Sequence, residues 1–429
     1  MNTSASEQAT WDLSQWLVYL ETIHNRPIDM GLDRVRQVAN RLNLLALPSV
    51  NFVVAGTNGK GSTVRFLEKI CLAAGRSVVA YTSPHIERYS ERVRYNDDEL
   101  PDSMHIKAFQ AIEQGRGETS LTYFEYSTLA ALWLVQQLQP DVVVLEVGLG
   151  GRLDAVNIVD ADVAMVTSIG VDHVAFLGDN REDIGFEKAG VFRPHCPAVC
   201  GDPEPPQKLL THAQTIASRL CCVGRDYRYE RHQDTFDFIG PRATWTDLPV
   251  PQLPLINAAT ALAALQLSPL QVELSAIKQG LCDAELAGRL EVIQNKPIVI
   301  VDVGHNPHAA KYLAGELKLR FGDKSVKAVC AMLNDKDQQG TLAELLPVIQ
   351  HWYLAPLSGI RGTTAEALAA NLPLSAPSSC HESVAEALFA AVNQSNENDI
   401  ILGFGSFLTV SAIKTALLKE SKSGERITE

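Results

Sequence analysis

The feature that most constrains this chain is the run Val53-Val54-Ala55-Gly56-Thr57-Asn58-Gly59-Lys60-Gly61-Ser62-Thr63. An apolar segment runs into a glycine-rich turn, and the turn runs into a helical pattern. Glycines let backbone N–H groups come close to phosphate oxygens, the helix start adds partial positive charge, and Lys60 adds a full one. A hydroxyl at Ser62 or Thr63 is placed to reach a Mg²⁺ ion. The spacing departs from the common phosphate-loop motif, which puts about four residues between its glycines before the lysine. Gly56 and Gly59 have two between them. A bare strand-to-helix turn would also use glycine, but Gly-Lys-Gly-Ser after a buried strand is costly as structure alone.

Further apolar runs recur along the chain at Val78–Thr82, Asp141–Val147, Val163–Ser168 and Pro197–Cys200, then at Ile298–Val303, Lys327–Met332, Trp352–Ala355 and Asp399–Gly403. They are rich in Val and Ile, and several lack polar alternation, as strands buried on both faces of a parallel sheet do. Helical patterns lie between them, at Gly61–Ala74, Ser127–Gln137, Asn257–Leu267 and Pro307–Phe321. The alternation predicts a doubly wound α/β fold. An aromatic and charged stretch over about Cys221 to Pro254 reads as a small β excursion, and Asn295-Lys296-Pro297 reads as a connection. Two domains are therefore expected, residues 1–290 and 296–429.

Composition excludes little but usefully. With 46% hydrophobic and 20% charged residues the chain is globular rather than disordered or fibrous. Its 50 acidic against 37 basic residues argue against broad nucleic-acid or anionic-membrane binding. Neither a transmembrane run nor a secretory leader is read, and eight scattered cysteines without zinc spacing suit reduced thiols, so a cytoplasmic protein is expected.

Polar groups follow the predicted strands. Glu146 ends Asp141–Val147 and precedes Gly148-Leu149-Gly150-Gly151-Arg152-Leu153-Asp154. A carboxylate at the carboxyl end of a buried strand faces the crevice where ligands bind, and suits a Mg²⁺ opposite the phosphate loop. The alternative for Glu146 is a salt-bridged or capping role. Asp172-His173 follows Val163–Ser168, and Thr82-Ser83-Pro84-His85 follows Val78–Thr82. Taken alone, His173 reads as a ligand, a base or a surface residue, and Ser83 as a ligand or a Ser-Pro turn. Their coincidence at successive strand ends favours a site.

Five segments occur in order: Gly56–Ser62, Thr82–His85, Leu121-Thr122-Tyr123-Phe124-Glu125, Glu146–Ala155 and Asp302-Val303-Gly304-His305-Asn306-Pro307. Over nearly the whole chain this order closely resembles the bacterial bifunctional dihydrofolate synthase/folylpolyglutamate synthase family of the Mur ligase superfamily. The resemblance implies a P-loop ATPase-type N-terminal domain and a smaller Rossmann-like C-terminal domain, with ATP and Mg²⁺ in the cleft between them. By matching motif, Ser83, Glu146 and His173 resemble Mg²⁺ ligands, and Thr57, Asn58, Gly59, Lys60, Gly61 and Ser62 the phosphate cradle. Asn257 and Arg289 in the first domain, with Asp302 and His305 in the second, resemble nucleotide contacts. Glu187-Lys188-Ala189-Gly190 matches the segment whose lysine is carbamylated in the family, which would turn a cation into an anion. Lys60, Glu146, His173 and Lys188 are thus the implied catalytic set. The pterin side resembles family positions at Ile28, Asp29, Met30 and Gly31, at Thr122 and Phe124, and at Leu153, Asp154 and Ala155. Gly304 stands where the family usually has alanine.

The implied activity is ATP-dependent addition of L-glutamate to dihydropteroate and to tetrahydrofolate polyglutamates through an acyl phosphate, by a monomer that takes no nucleic acid and no membrane as partner. Two rivals define what would count against it. A ligase for peptidoglycan precursors would need a UDP-linked acceptor. A nucleotide switch would hydrolyse ATP or GTP slowly without any amino acid, and would have no use for a second α/β domain.

Overall fold

A computed structural model describes residues 8–322 and 324–424. The chain divides into two compact units, Met1–Glu285 and Leu286–Glu429. The division falls five residues before the end expected for the first domain at residue 290, and it places Arg289 in the second unit rather than the first.

The first unit is built on an eight-stranded sheet. Its strands are β1 (Val50–Ala55), β2 (Val78–Tyr81), β3 (Val93–Tyr95), β4 (Asp98–Glu99), β5 (Val142–Glu146), β6 (Val163–Val166), β7 (Pro197–Cys200) and β8 (Arg219–Cys222). They lie in the order β4-β3-β2-β5-β1-β6-β7-β8. All neighbours are parallel except at the β2–β3–β4 edge, which is antiparallel. The runs without alternation are the strands buried on both faces: every residue of β2, β5 and β6 is buried. β1 sits between β5 and β6, with Val54 paired to Glu146 on one side and to Met165 on the other. Polar groups at the carboxyl ends of these three strands are thereby brought side by side. Among the described residues, no helix is long and apolar enough to cross a membrane.

The helix Lys60–Ala73 follows the phosphate loop and packs on Leu255–Leu267 and Leu274–Asp283. The approach is close at Gly280, where a Cβ would meet the Ile70 Cα at 2.5 Å. The stretch expected as a β excursion forms β9 (Arg228–Arg231), β10 (Thr235–Ile239) and β11 (Thr244–Pro249), a separate antiparallel sheet whose buried face carries Phe236 and Phe238.

The second unit carries β12 (Glu291–Asn295), β13 (Ile298–Asp302), β14 (Val326–Cys330), β15 (Ile349–Leu354), β16 (Ser378–Cys380) and β17 (Ile400–Phe404), in the order β12-β13-β17-β14-β15-β16. Only β12 and β13 are antiparallel. Lys296-Pro297, expected as a domain connection, is the turn of that hairpin. Trp352 and Phe404 are fully buried in its core.

Two glycines separate close packing from conformational freedom. Gly280→Ala has no room and is expected to lower stability by about 1–3 kcal/mol. Gly315 lies exposed in the helix Pro307–Phe321 with nothing within 4 Å of a new Cβ. Gly315→Ala is expected to raise stability by roughly 0.5–1 kcal/mol. Urea denaturation of both variants beside the parent protein checks the opposite signs.

Candidate active site

The phosphate loop is held by the strand beside it. The Thr57 N–H donates to Ser168 O at 2.6 Å, and the Thr57 hydroxyl and the Gly170 backbone meet at 3.0 Å. The Asn58 N–H donates to Ser168 Oγ, and Asn58 O accepts from Thr167 Oγ1 at 2.6 Å and Ser168 Oγ at 3.0 Å. Gly56 has φ 150° and leaves no space for a Cβ, which would lie 1.8 Å from Thr167 Oγ1. Gly59 has φ 88°, caps the helix Lys60–Ala73, and would strike Asn257 Oδ1 at 2.4 Å if it carried a Cβ. The predicted contact Asn257, buried in the helix Leu255–Leu267, is therefore packed on the loop. Lys60 Nζ donates to Gly56 O at 3.1 Å and Thr57 O at 3.2 Å, so its charge sits over the loop. Of the two hydroxyls proposed to reach a metal, Thr63 Oγ1 instead donates to Gly59 O at 2.9 Å.

Glu146 is buried at the end of β5, and the Ser83 N–H donates to its Oε2 at 3.2 Å. Those two predicted ligands are together. His173 caps the four-residue helix Val174–Leu177 in a left-handed conformation, φ 53°, its N–H donating to Asp172 Oδ1. Among the described residues no three His, Cys, Asp or Glu side chains form a metal cluster. The donor set of a hydroxyl, a carboxylate and one imidazole nevertheless fits a hard cation that takes the rest of its shell from phosphate and water.

The Gly148–Asp154 loop is pressed against the helix Arg181–Ala189. A Cβ on Gly151 would meet Glu187 O at 2.8 Å and Lys188 O at 2.9 Å, the Arg152 N–H donates to Glu187 O at 2.7 Å, and the Arg152 guanidinium pairs with Glu187. This brings Asp154 and Lys188 into one buried region with Lys60. Burial pushes the Lys188 amine down to about 7, helped by the Lys60 charge. Burial pushes the Asp154 carboxyl up to about 7, although it accepts from Leu149 N at 2.8 Å and Val156 N at 3.0 Å. Both groups thus sit where a small change of surroundings changes their charge.

The residues expected on the pterin side also converge. Phe124 covers Gly148, where a Cβ would lie 2.5 Å from its ring, and stacks on Tyr81 with centroids 6.2 Å apart. Met30 and Leu177 close on Gly150. Thr122 caps the helix Tyr123–Leu138 in a reciprocal box with Glu125. Sequence reasoning missed Arg34, which donates to Asp29 Oδ2 at 2.6 Å, Asp29 O at 2.8 Å and Glu125 Oε1 at 3.1 Å, tying Ile28–Gly31 to that helix start. The only signal for Arg34 in the sequence is its nearness to Asp29. Ile28 remains partly exposed, while Ala155 and Asp154 are buried.

In the second unit Asp302 ends β13 and accepts from Leu290 N at 3.0 Å and Gly304 N at 2.7 Å; burial holds its carboxyl above the usual carboxylate range. The His305 Nδ1–H donates to Val303 O at 2.8 Å. Arg289 stacks on the Phe407 ring at 5.4 Å. A Cβ on Gly304 would stand 2.9 Å from Asp302 Oδ1, so glycine eases the turn here.

A phosphate loop on a central parallel strand with a carboxylate on its neighbour is the arrangement of a P-loop nucleotide-binding protein, and the family matches make it a Mur ligase. Residues 54–200 match the Mur ligase middle domain, and residues 288–407 match the Mur ligase, glutamate ligase domain. Over 97% of its length the chain is 49% identical to the dihydrofolate synthase/folylpolyglutamate synthase of Escherichia coli K12, covering 98% of that protein. The Haemophilus influenzae protein of the same name is 43% identical over 94% of this chain and 97% of its own. The structure of E. coli FolC in complex with DHPP and ADP is similar with a TM-score of 0.94, covering 96% of this chain and 99% of that one at 49% identity. A bifunctional folylpolyglutamate synthase/dihydrofolate synthase with Mn, AMPPNP and L-glutamate bound matches with a TM-score of 0.90 at 48% identity, over 96% and 99% of the two chains. The chain belongs to the dihydrofolate synthase/folylpolyglutamate synthase family.

Asp154 gives this site a pH signature. Its folded value near 7 exceeds the unfolded 3.8, so the folded state binds the extra proton between these limits. That contribution is complete below about pH 3.8 and is lost as pH rises through 7. Asp154→Asn removes the dependence. Urea melts at pH 4.5 and pH 8 are expected to show the variant gaining stability relative to the parent at the higher pH.

Proposed function

We propose that this chain is an ATP-dependent amide-bond ligase that adds L-glutamate to dihydropteroate and to folylpolyglutamate, releasing ADP and phosphate. The observation that carries the reading is the close-packed, half-buried loop of Gly56, Gly59 and Lys60 beside Glu146, in a chain of this family.

A carboxylate is a poor electrophile, so it must be activated before an amine can attack it. In this reading an oxygen of the acceptor's carboxylate attacks the γ-phosphorus of ATP, the bond from that phosphorus to the β-phosphate oxygen breaks, and ADP leaves. The amine of glutamate attacks the acyl carbon of the resulting acyl phosphate. Phosphate departs with the C–O bond electrons, and the amine nitrogen loses a proton. The second activity repeats the sequence on a glutamate carboxylate of the folate. Lys60 and the N–H groups of Thr57 to Ser62 hold the phosphates and neutralise charge as the phosphoryl group transfers. Asn257 braces Gly59 and contacts the nucleotide; Arg289, Asp302 and His305 of the second unit are further nucleotide contacts. Ser83, Glu146 and His173 would hold Mg²⁺, which would screen the phosphate charge. Phe124 stacks on the pterin, and Ile28, Asp29, Met30, Thr122, Leu153, Asp154 and Ala155 shape its slot. The enzyme acts as a monomer in the cytoplasm.

Lys188 is the residue that becomes carbamylated. An amine attacks CO₂ only when neutral, and a lysine held near 7 is neutral in useful proportion at physiological pH, where an ordinary one is not. The carbamate would replace a buried cation beside Lys60 with an anion. With ¹³C-bicarbonate, a carbamate carbon resonance is expected in the parent protein and absent in Lys188→Met; its absence from the parent would leave Lys188 a plain buried amine.

The defining test is ADP release with Mg-ATP, L-glutamate and dihydropteroate, each omitted in turn, then repeated with tetrahydrofolate as acceptor. Release is expected only with all components, in both series. Indifference to glutamate and pterin would replace the ligase by a nucleotide hydrolase. Lys60→Ala is expected to lower turnover on the order of 10²–10³-fold with the fold retained. Glu146→Ala is expected to raise the Mg²⁺ concentration needed for half-maximal rate.

A further inference from the structure

Two arginines stand two residues apart at the edge of the first unit's sheet, and their surroundings differ. Arg94 is enclosed and answered by a carboxylate: its Nη2 donates to Glu68 Oε2 at 2.8 Å. Arg92 is 8% exposed, and among the described residues no carboxylate lies within ion-pair distance of it. Its Nε donates to His85 Nδ1 at 2.9 Å. A ring nitrogen that accepts belongs to a neutral imidazole, so that contact supplies no negative charge. The rings of Tyr89 and Tyr123 lie 5.7 and 5.4 Å from the guanidinium carbon. They offset part of the lost hydration but leave a full charge uncompensated. Arg92 uses one of its five N–H donors, and neither Nη makes a hydrogen bond among the described residues.

The place of this cation identifies its missing partner. Through His85 it touches the turn that carries Ser83, whose N–H meets Glu146. Through Tyr123 it touches the start of the helix Tyr123–Leu138, flanked by Thr122 and Phe124. Its open donors therefore lie between the proposed metal ligands and the proposed pterin slot, where the reacting carboxylate of a pterin-bearing acceptor and the incoming amino acid have to meet. We propose that Arg92 is a binding residue for a substrate carboxylate, which it grips through its Nη groups. The inference rests on the ligase reading and adds a residue to it. Two substrates bring the same chemistry, the acceptor through its terminal carboxylate and glutamate through its α- or γ-carboxylate.

Initial rates of ADP release by the full chain, with each substrate varied in turn, separate the sources. Arg92→Gln is expected to raise the KM of glutamate or of dihydropteroate at least tenfold, whichever carboxylate it holds, with the KM of Mg-ATP within twofold of the parent. Arg92→Lys keeps the charge without the fork and is expected to recover part of the loss. Carboxylate KM values within twofold in both variants would make Arg92 a packing cation. A wild-type measurement covers a variant that fails to fold. With ¹⁵N-arginine protein, L-glutamate or p-aminobenzoyl-glutamate is expected to shift one slowly exchanging guanidinium signal that Mg-ADP alone leaves in place. No such shift would overturn the proposal. If the parent shows no glutamate-dependent turnover the ligase reading falls, while the guanidinium response still reports on Arg92.

Discussion

The constraint on which the rest depends is the flanking of β1 by β5 and β6. A strand hydrogen-bonded on both sides and buried on both faces cannot slide, because a one-residue slip would reverse every side chain on it. The pairing of Val54 with Glu146 and with Met165 therefore fixes where the glycine loop begins relative to the carboxylate and to Thr167 and Ser168. The loop's own hydrogen bonds run to that last pair. The position of Lys60 is thus an outcome of strand register rather than of the loop sequence alone.

Upon this frame sits a region with little water and several ionisable groups. Asp154 and Lys188 are each drawn toward neutrality by burial, from opposite directions, and Lys60 acts on both. Glycines help to make that environment: Gly151 lets the Asp154 loop lie against the backbone that carries Lys188, and Gly148 accommodates the Phe124 ring. The chemistry thus depends on residues with no functional group.

Much of this was legible in the sequence. Unalternated Val and Ile runs marked the buried strands, and the meeting of Ser83 with Glu146 followed from their places after two of those runs. What stayed hidden depended on distance in the chain. Nothing local marks Arg34 as the tie between Asp29 and Glu125, which stand 96 positions apart (125 − 29). The short edge strands β3 and β4 are partly exposed and lack the apolar signature. Asn295-Lys296-Pro297 was misread because the turn residues of a hairpin and of a linker are the same, and only the antiparallel register of β12 with β13 tells them apart. The nucleotide, metal and pterin assignments came from motif resemblance, and the geometry supplies their neighbours rather than their ligands.

The approach of Gly280 to Ile70 carries a mechanical consequence. The helix that starts at Lys60 lies against Leu274–Asp283 with backbone nearly touching backbone, so there is no cushion of side chains to shear. It cannot act as an independent piston when the phosphate loop takes up a charged ligand. Load placed on the loop is passed straight into the second helix, so the two respond as one body.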